Sequence, residues 1–83
     1  MLRQLTALTA VSGFEAQAAA AVAELFRPYC DTVEVDRNGN MLGFKSCGRK
    51  NAKTVLLDAH LDQIGFLVTE VLDGGFVRFA PVG

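Results

Sequence analysis

Leu2, Leu5 and Leu8 recur at helical spacing, which predicts a short first helix closed by the loop Val11-Ser12-Gly13. Ser12-Gly13-Phe14-Glu15 then has the form of an S-x-x-E capping box. In that box the Ser hydroxyl accepts the backbone N–H three residues on, and the Glu carboxylate reaches back. A second helix is therefore predicted through AQAAAAVAELFR, with Ala18, Val22, Leu25 and Phe26 on one face and Pro28 where it can no longer continue. Its alanines are strong helix formers, and their small side chains let a helix lie close to a sheet.

After Cys30 the period changes from helical to two. Val33 and Val35 alternate with Thr32, Glu34 and Asp36, and Asn38-Gly39 predicts a type I′ hairpin turn into MLGFK, where Leu42 and Phe44 share a face. CGRKN makes the next turn. KTVLLDAH follows as a near-continuous apolar run, the pattern of a central strand covered on both faces. GFLVTEV and FVRFA flank a last turn at Leu72-Asp73-Gly74-Gly75. The order is α/β, two helices and then strands. Two helices cannot cover both faces of five strands, so the pattern reads as the opening of a larger domain.

One stretch strains this reading. LLDAHLDQIGF, residues 56–66, carries Asp58, His60 and Asp62 at every second position. An unpaired carboxylate in a doubly buried strand costs several kcal/mol or shifts its pKa, so these residues need partners or serve chemistry. Alternation across a strand would place all three on one face, with the backbone bending away at Ile64-Gly65. An H-x-D pair at the C-terminal end of a strand sets an imidazole where α/β proteins bind ligands, beside a carboxylate that can orient it or face its metal. The same tripeptide also serves as a hydrogen-bonded structural pair, and spacing does not separate the two.

Composition narrows the classes. At 83 residues the chain is one small domain at most, able to bury roughly 60–65% of its unfolded surface. It is 51% apolar and 20% charged with a net charge of −1, which describes a globular chain. The eight Lys and Arg residues are scattered, which excludes a nucleic-acid footprint; Arg49, Lys50 and Lys53 read as a solvated turn. Cys30 and Cys47 form no C-x-x-C pair and are expected to be reduced, partly buried thiols of a cytoplasmic protein. The N-terminus loosely follows signal-peptide grammar, but Thr6, Thr9 and Ser12 break the apolar stretch and Glu15 precedes the AxA-like tripeptide. No apolar run approaches the roughly 20 residues that span a bilayer, so no membrane association is expected.

Four stretches in succession carry a family resemblance: Val11-Ser12-Gly13-Phe14-Glu15, Val35-Asp36-Arg37-Asn38-Gly39-Asn40, Asp58-Ala59-His60-Leu61-Asp62-Gln63-Ile64-Gly65-Phe66, and Gly75-Phe76-Val77-Arg78-Phe79-Ala80-Pro81-Val82-Gly83. In this order and at these spacings the chain resembles the N-terminal part of the glutamyl and deblocking aminopeptidases, peptidase family forty-two of the metallo class. The resemblance implies a zinc-exopeptidase-like catalytic domain with two divalent ions, zinc or cobalt, and an inserted β-rich dimerisation domain. It also implies a homo-oligomer, often a tetrahedral dodecamer, that trims N-terminal residues from peptides. On this reading residues 1–64 belong to the catalytic domain and 65–83 begin the dimerisation domain.

Carried over residue by residue, His60 matches the family's first metal ligand and Asp62 the acidic catalytic-site residue that supports it. Gln63 stands where Glu is common, which leaves local hydrogen bonding open. Asp58 matches no family role, and a structural hydrogen bond is expected for it. The remaining ligands and the general base come later in the family's sequences. His60 is the sole histidine here, so the 83 residues alone are expected neither to hold a catalytic metal nor to cleave a substrate, and to need the remainder of the polypeptide. A two-metal hydrolase requires both ions to be held around a shared water. Two rivals stay open: a non-catalytic assembly or dimerisation module, and the endoglucanase label that some relatives carry.

Overall fold

The helical spacing and the alanine run form α1, Leu2–Thr6, and α2, Ala16–Phe26, in the computed structural model, which describes all of residues 1–83. The period-two stretches form β1, Thr32–Val35, β2, Met41–Phe44, β3, Gly65–Val71, and β4, Val77–Val82. A 3₁₀ turn at Asp73–Gly75 joins the last two. The α/β order of two helices followed by strands stands. The strands make two separate antiparallel hairpins, β1–β2 and β3–β4, in place of one five-stranded sheet.

The start of α2 departs from the capping box. Glu15 does reach back, but its Oε1 accepts the N–H of Gly13 at 2.8 Å and not that of Ser12. Ser12 makes no cap, and Glu15 itself is the N-cap residue. The reason is local backbone: Phe14 N–H donates to Val11 C=O at 2.8 Å in a tight turn whose Gly13 has φ +85°, and this turn carries the Ser12 hydroxyl away from the helix end. On α2 the buried side chains are Ala18, Ala19, Val22 and Ala23, while Leu25 and Phe26 are half-buried. The small residues take the packed face because β1 and β2 lie close against it.

Cross-strand partners in an antiparallel ladder share a face. The pairs Val33↔Gly43 and Val35↔Met41 therefore line one side of the first hairpin, and Thr32↔Phe44 and Glu34↔Leu42 the other. A Cβ at Gly43 would meet Phe26 Cδ1 at 3.6 Å and Cys30 Sγ at 2.8 Å, so the Gly43 side is the one against α2. Leu42 and Phe44 do share a face, but it is the open one, and each is 53% exposed.

The turn also differs from the type I′ expectation. Type I′ needs positive φ at both central residues, and of Asn38 and Gly39 Gly39 alone has it, at +84°. Gly39 N–H donates to Asp36 C=O at 3.1 Å and Asp36 N–H to Asn40 C=O at 2.9 Å, which makes a three-residue loop closed by the left-handed glycine. The Asp36 carboxylate sets this geometry by accepting the backbone N–H of Asn38 at 2.8 Å, the N–H of Asn40 at 2.9 Å and Asn40 Nδ2 at 2.8 Å.

The largest correction concerns residues 52–62, which form no strand at all. Val55, Leu56 and Leu57 are 79%, 85% and 91% exposed. A strand exists only through its neighbours, and none of the four strands pairs with this run. The five buried residues are Ala10 and the four of α2. The Cα radius of gyration is 17.5 Å, against about 12 Å for a compact domain of this length. Cys30 is half-buried as expected, whereas Cys47 is exposed; both are free thiols.

Candidate metal-ligand site

Asp58, His60 and Asp62 do not share a strand face, because the segment that carries them pairs with no strand. Two of the three still come together. His60 Nδ1 lies 2.9 Å from the backbone carbonyl of Asp62 and 3.2 Å from its Oδ1. A carbonyl and a carboxylate can only accept, so Nδ1 must carry the proton. In the neutral ring this leaves the Nε2 lone pair uncommitted, and the imidazole is 87% exposed. Asp62 is half-buried, its side chain 39% exposed. Asp58 is exposed and gains neither the structural hydrogen bond expected for it nor an ion pair.

This is the arrangement in which a histidine serves a metal: one ring nitrogen held by an oxygen partner, the other turned outward. The fit is partial. No three His, Cys, Asp or Glu side chains in residues 1–83 group closely enough to hold an ion. His60 thus offers one ligand position, and a zinc site draws three or four protein ligands.

A contact that the sequence did not announce lies directly beyond this pair. Gln63 N–H donates to Ala10 C=O at 2.6 Å, and Val11 and Gln63 form a parallel bridge. Ala10 is only 1% exposed. Two residues on, Gly65 lies so close to Val11 that a Cβ there would stand 2.5 Å from Val11 Cγ2 and 3.2 Å from Cγ1. Gln63 therefore acts through its backbone, and the open question of Gln for Glu at this position does not touch that bond. The signal was the glycine itself. A glycine in a strand can mark the close approach of another segment as well as a bend, and Gly65 has no positive φ. Val11, Phe14, Phe66, Leu67 and Val82 line a small apolar groove of about 170 Å³.

The same chain course occurs in known proteins. The M42 glutamyl aminopeptidase family model matches residues 39–83. An aminopeptidase from the archaeon Desulfurococcus kamchatkensis superposes with a TM-score of 0.85 at 35% identity, over 99% of this chain and 22% of its own. A Thermotoga maritima protein named an endoglucanase superposes equally well, at 0.85 and 32% identity, over 100% of this chain and 26% of its own. A glutamyl aminopeptidase of Lactococcus lactis is 31% identical over 99% of this chain and 23% of its own length. The chain spans about a quarter of the curated relatives it matches, 24%, 22% and 20% of the first three. No helix is long and apolar enough to cross a membrane. With more than half of its residues inside the family match and the whole of its course shared with an aminopeptidase, the chain belongs to the M42 glutamyl aminopeptidase family.

Proposed function

We propose that residues 1–83 work as part of a metal-dependent aminopeptidase, with His60 a ligand to one of two divalent ions, zinc or cobalt, and Asp62 the residue that orients it. The observation that supports this most is the pairing of His60 Nδ1 with the Asp62 backbone carbonyl and Oδ1, which leaves Nε2 to a metal. Bound ions would acidify a water and polarise the scissile carbonyl of an N-terminal peptide bond. The part of this chain is narrower. Asp62 holds the proton on Nδ1, fixes the ring's tautomer and raises the donor strength of Nε2. The remaining ligands and the base come, on this proposal, from the rest of the polypeptide.

On the same reading residues 1–64 belong to the catalytic domain and 65–83 to a dimerisation domain. The separation of β3–β4 from the α2-β1-β2 unit supports that division. So does the open apolar face of the second hairpin, where Phe66 and Phe79 stack edge-on at 4.9 Å and yet remain 70% and 58% exposed. That face is also what favours the reading of residues 65–83 as an assembly module in a homo-oligomer. Unpaired Cys30 and Cys47 suit a reducing cytoplasm.

The test is made in the complete polypeptide that carries these residues. His60→Ala is expected to lose one equivalent of metal and all hydrolysis of an aminoacyl amide. Asp62→Asn is expected to retain metal at lowered affinity, with activity down about 10- to 100-fold. Wild-type metal content and turnover in His60→Ala would reject the assignment. Cleavage of a cellodextrin in place of the aminoacyl amide would favour the endoglucanase reading.

A further inference from the structure

The His60–Asp62 pair lies in a segment with no ladder of its own, yet its geometry is defined, and the cause lies in the loop before α2. Backbone contact from the loop before α2 reaches this segment at Gln63, whose N–H donates to Ala10 C=O at 2.6 Å. Gln63 directly follows Asp62. Ala10 is in turn buried, at 1% exposure. We infer that Gly65 is a positioning residue for the metal ligand His60: the absence of a Cβ at Gly65 admits the Val11 side chain, and this contact holds Gln63 on Ala10 so that Asp62 presents its carbonyl and Oδ1 to the imidazole.

The distances make the contact size-selective. A Cβ at Gly65 would meet Val11 Cγ2 at 2.5 Å and Cγ1 at 3.2 Å, but Val11 Cβ at 3.4 Å. The first separation is closer than packed atoms tolerate, the second is tight, and the third is ordinary contact. Val11 carries its branch on Cβ and has few rotamers in which to escape, so a methyl at Gly65 is expected to push the two chain segments apart. The hydrogen bond from Gln63 to Ala10 is the first thing lost. Asp62, one residue away, then no longer holds both its carbonyl and its Oδ1 near His60 Nδ1. Strain in the left-handed region plays no part, since Gly65 is absent from the positive-φ residues.

The inference rests on the reading of His60 as a ligand for its functional meaning, but its test does not use metal. Long-range proton–nitrogen NMR spectra of the 83-residue chain, at a pH where the ring is neutral and with no metal added, report which ring nitrogen carries the proton. Wild type is expected to hold the Nδ1–H tautomer. Gly65→Ala is expected to shift the ring to mainly Nε2–H, the form an unpartnered imidazole prefers. Gly65→Ala combined with Val11→Ala, which removes both offending methyls, is expected to restore Nδ1–H. A merely structural glycine would not couple to the tautomer of a ring five residues away. An unchanged His60 tautomer in Gly65→Ala overturns the inference, and so does a shift that Val11→Ala fails to reverse. Restoration in the double variant supports it even if His60→Ala keeps its metal in the complete polypeptide; that outcome would reject the ligand assignment alone.

Discussion

The two halves of this chain have similar apolar content and opposite fates. Residues 16–44 form a unit that satisfies itself: α2 presents small side chains to one face of the β1–β2 hairpin, and Asp36 and Asp31 complete the turn and the strand end. Asp31 N–H donates to Phe44 C=O at 2.7 Å while its Oδ2 accepts Ser46 N–H at 2.6 Å. Residues 53–82 are no less hydrophobic, but Val55, Leu56, Leu57, Ile64, Phe66, Val71 and Phe76 are each at least 69% exposed. Apolar sequence alone does not make a core. A helix beside a hairpin buries area locally, whereas an apolar strand buries nothing until other strands and covering helices reach it.

The sharpest way to break this comparison is to place the same charge in both halves. Val22→Asp, at a position 6% exposed, should cost roughly 3 kcal/mol or more and abolish the helical circular dichroism of α2. Leu57→Asp, at a position 91% exposed, should change the melting of that signal by less than about 0.5 kcal/mol. Equal losses would mean that the second half is packed in solution.

Hydrogen exchange tests the same division without mutation. Amides of α2, β1 and β2 should be protected, those of residues 52–57 should exchange at close to random-coil rates, and β3–β4 and the Gln63 amide bonded to Ala10 should lie between, since an isolated two-stranded hairpin is marginal. Sedimentation should show self-association through the exposed apolar face and the unpaired strand edges. A sharp monomer with uniform protection would reverse the comparison.

Within the self-satisfied half the packing can be probed at one contact. Gly43→Ala sets a methyl 2.8 Å from Cys30 Sγ and should destabilise by about 1–2 kcal/mol, as overpacking does. Adding Cys30→Ala should recover most of this in a double-mutant cycle. Additive effects would show that the strand shifts freely over α2.

The smallest effect concerns acid. Hydrogen bonds from the Asn40 side chain and the Asn40 backbone, against an opposing cost of desolvation and with further help from the Asn38 and Gly39 backbone, hold the Asp36 carboxyl below the usual carboxylate range. A depressed folded-state pKa contributes stability that is complete above the unfolded value and is lost as pH falls through the folded one. The Asn38 and Asn40 amide resonances should therefore move only in strongly acidic solution. Asp36→Asn should flatten that acid dependence; persistence of the transition would assign it to another group.

Both helices, both hairpins and the turn at Asp73–Gly75 were legible because each rests on interactions among near neighbours: helical spacing, alternation, alanine and glycine. The resemblance was legible for the same reason, since its motifs are short and occur in order. The H-x-D pair was visible as well, and the structure does join His60 to Asp62. Other features depended on what lies opposite in space. Ser12 fits a capping pattern, but the Val11–Phe14 turn removes it from the helix end. Leu42 and Phe44 alternate correctly, but the register with Thr32 and Glu34 puts them on the open side. Gly65 reads as a bend until Val11 is seen against it, and KTVLLDAH reads as a buried strand until its missing neighbours are counted. Sequence by itself determined the local elements, because backbone propensity and turn chemistry act over a few residues. Only the tertiary structure decided which faces are buried and what holds His60, because burial and contact are properties of pairs of segments.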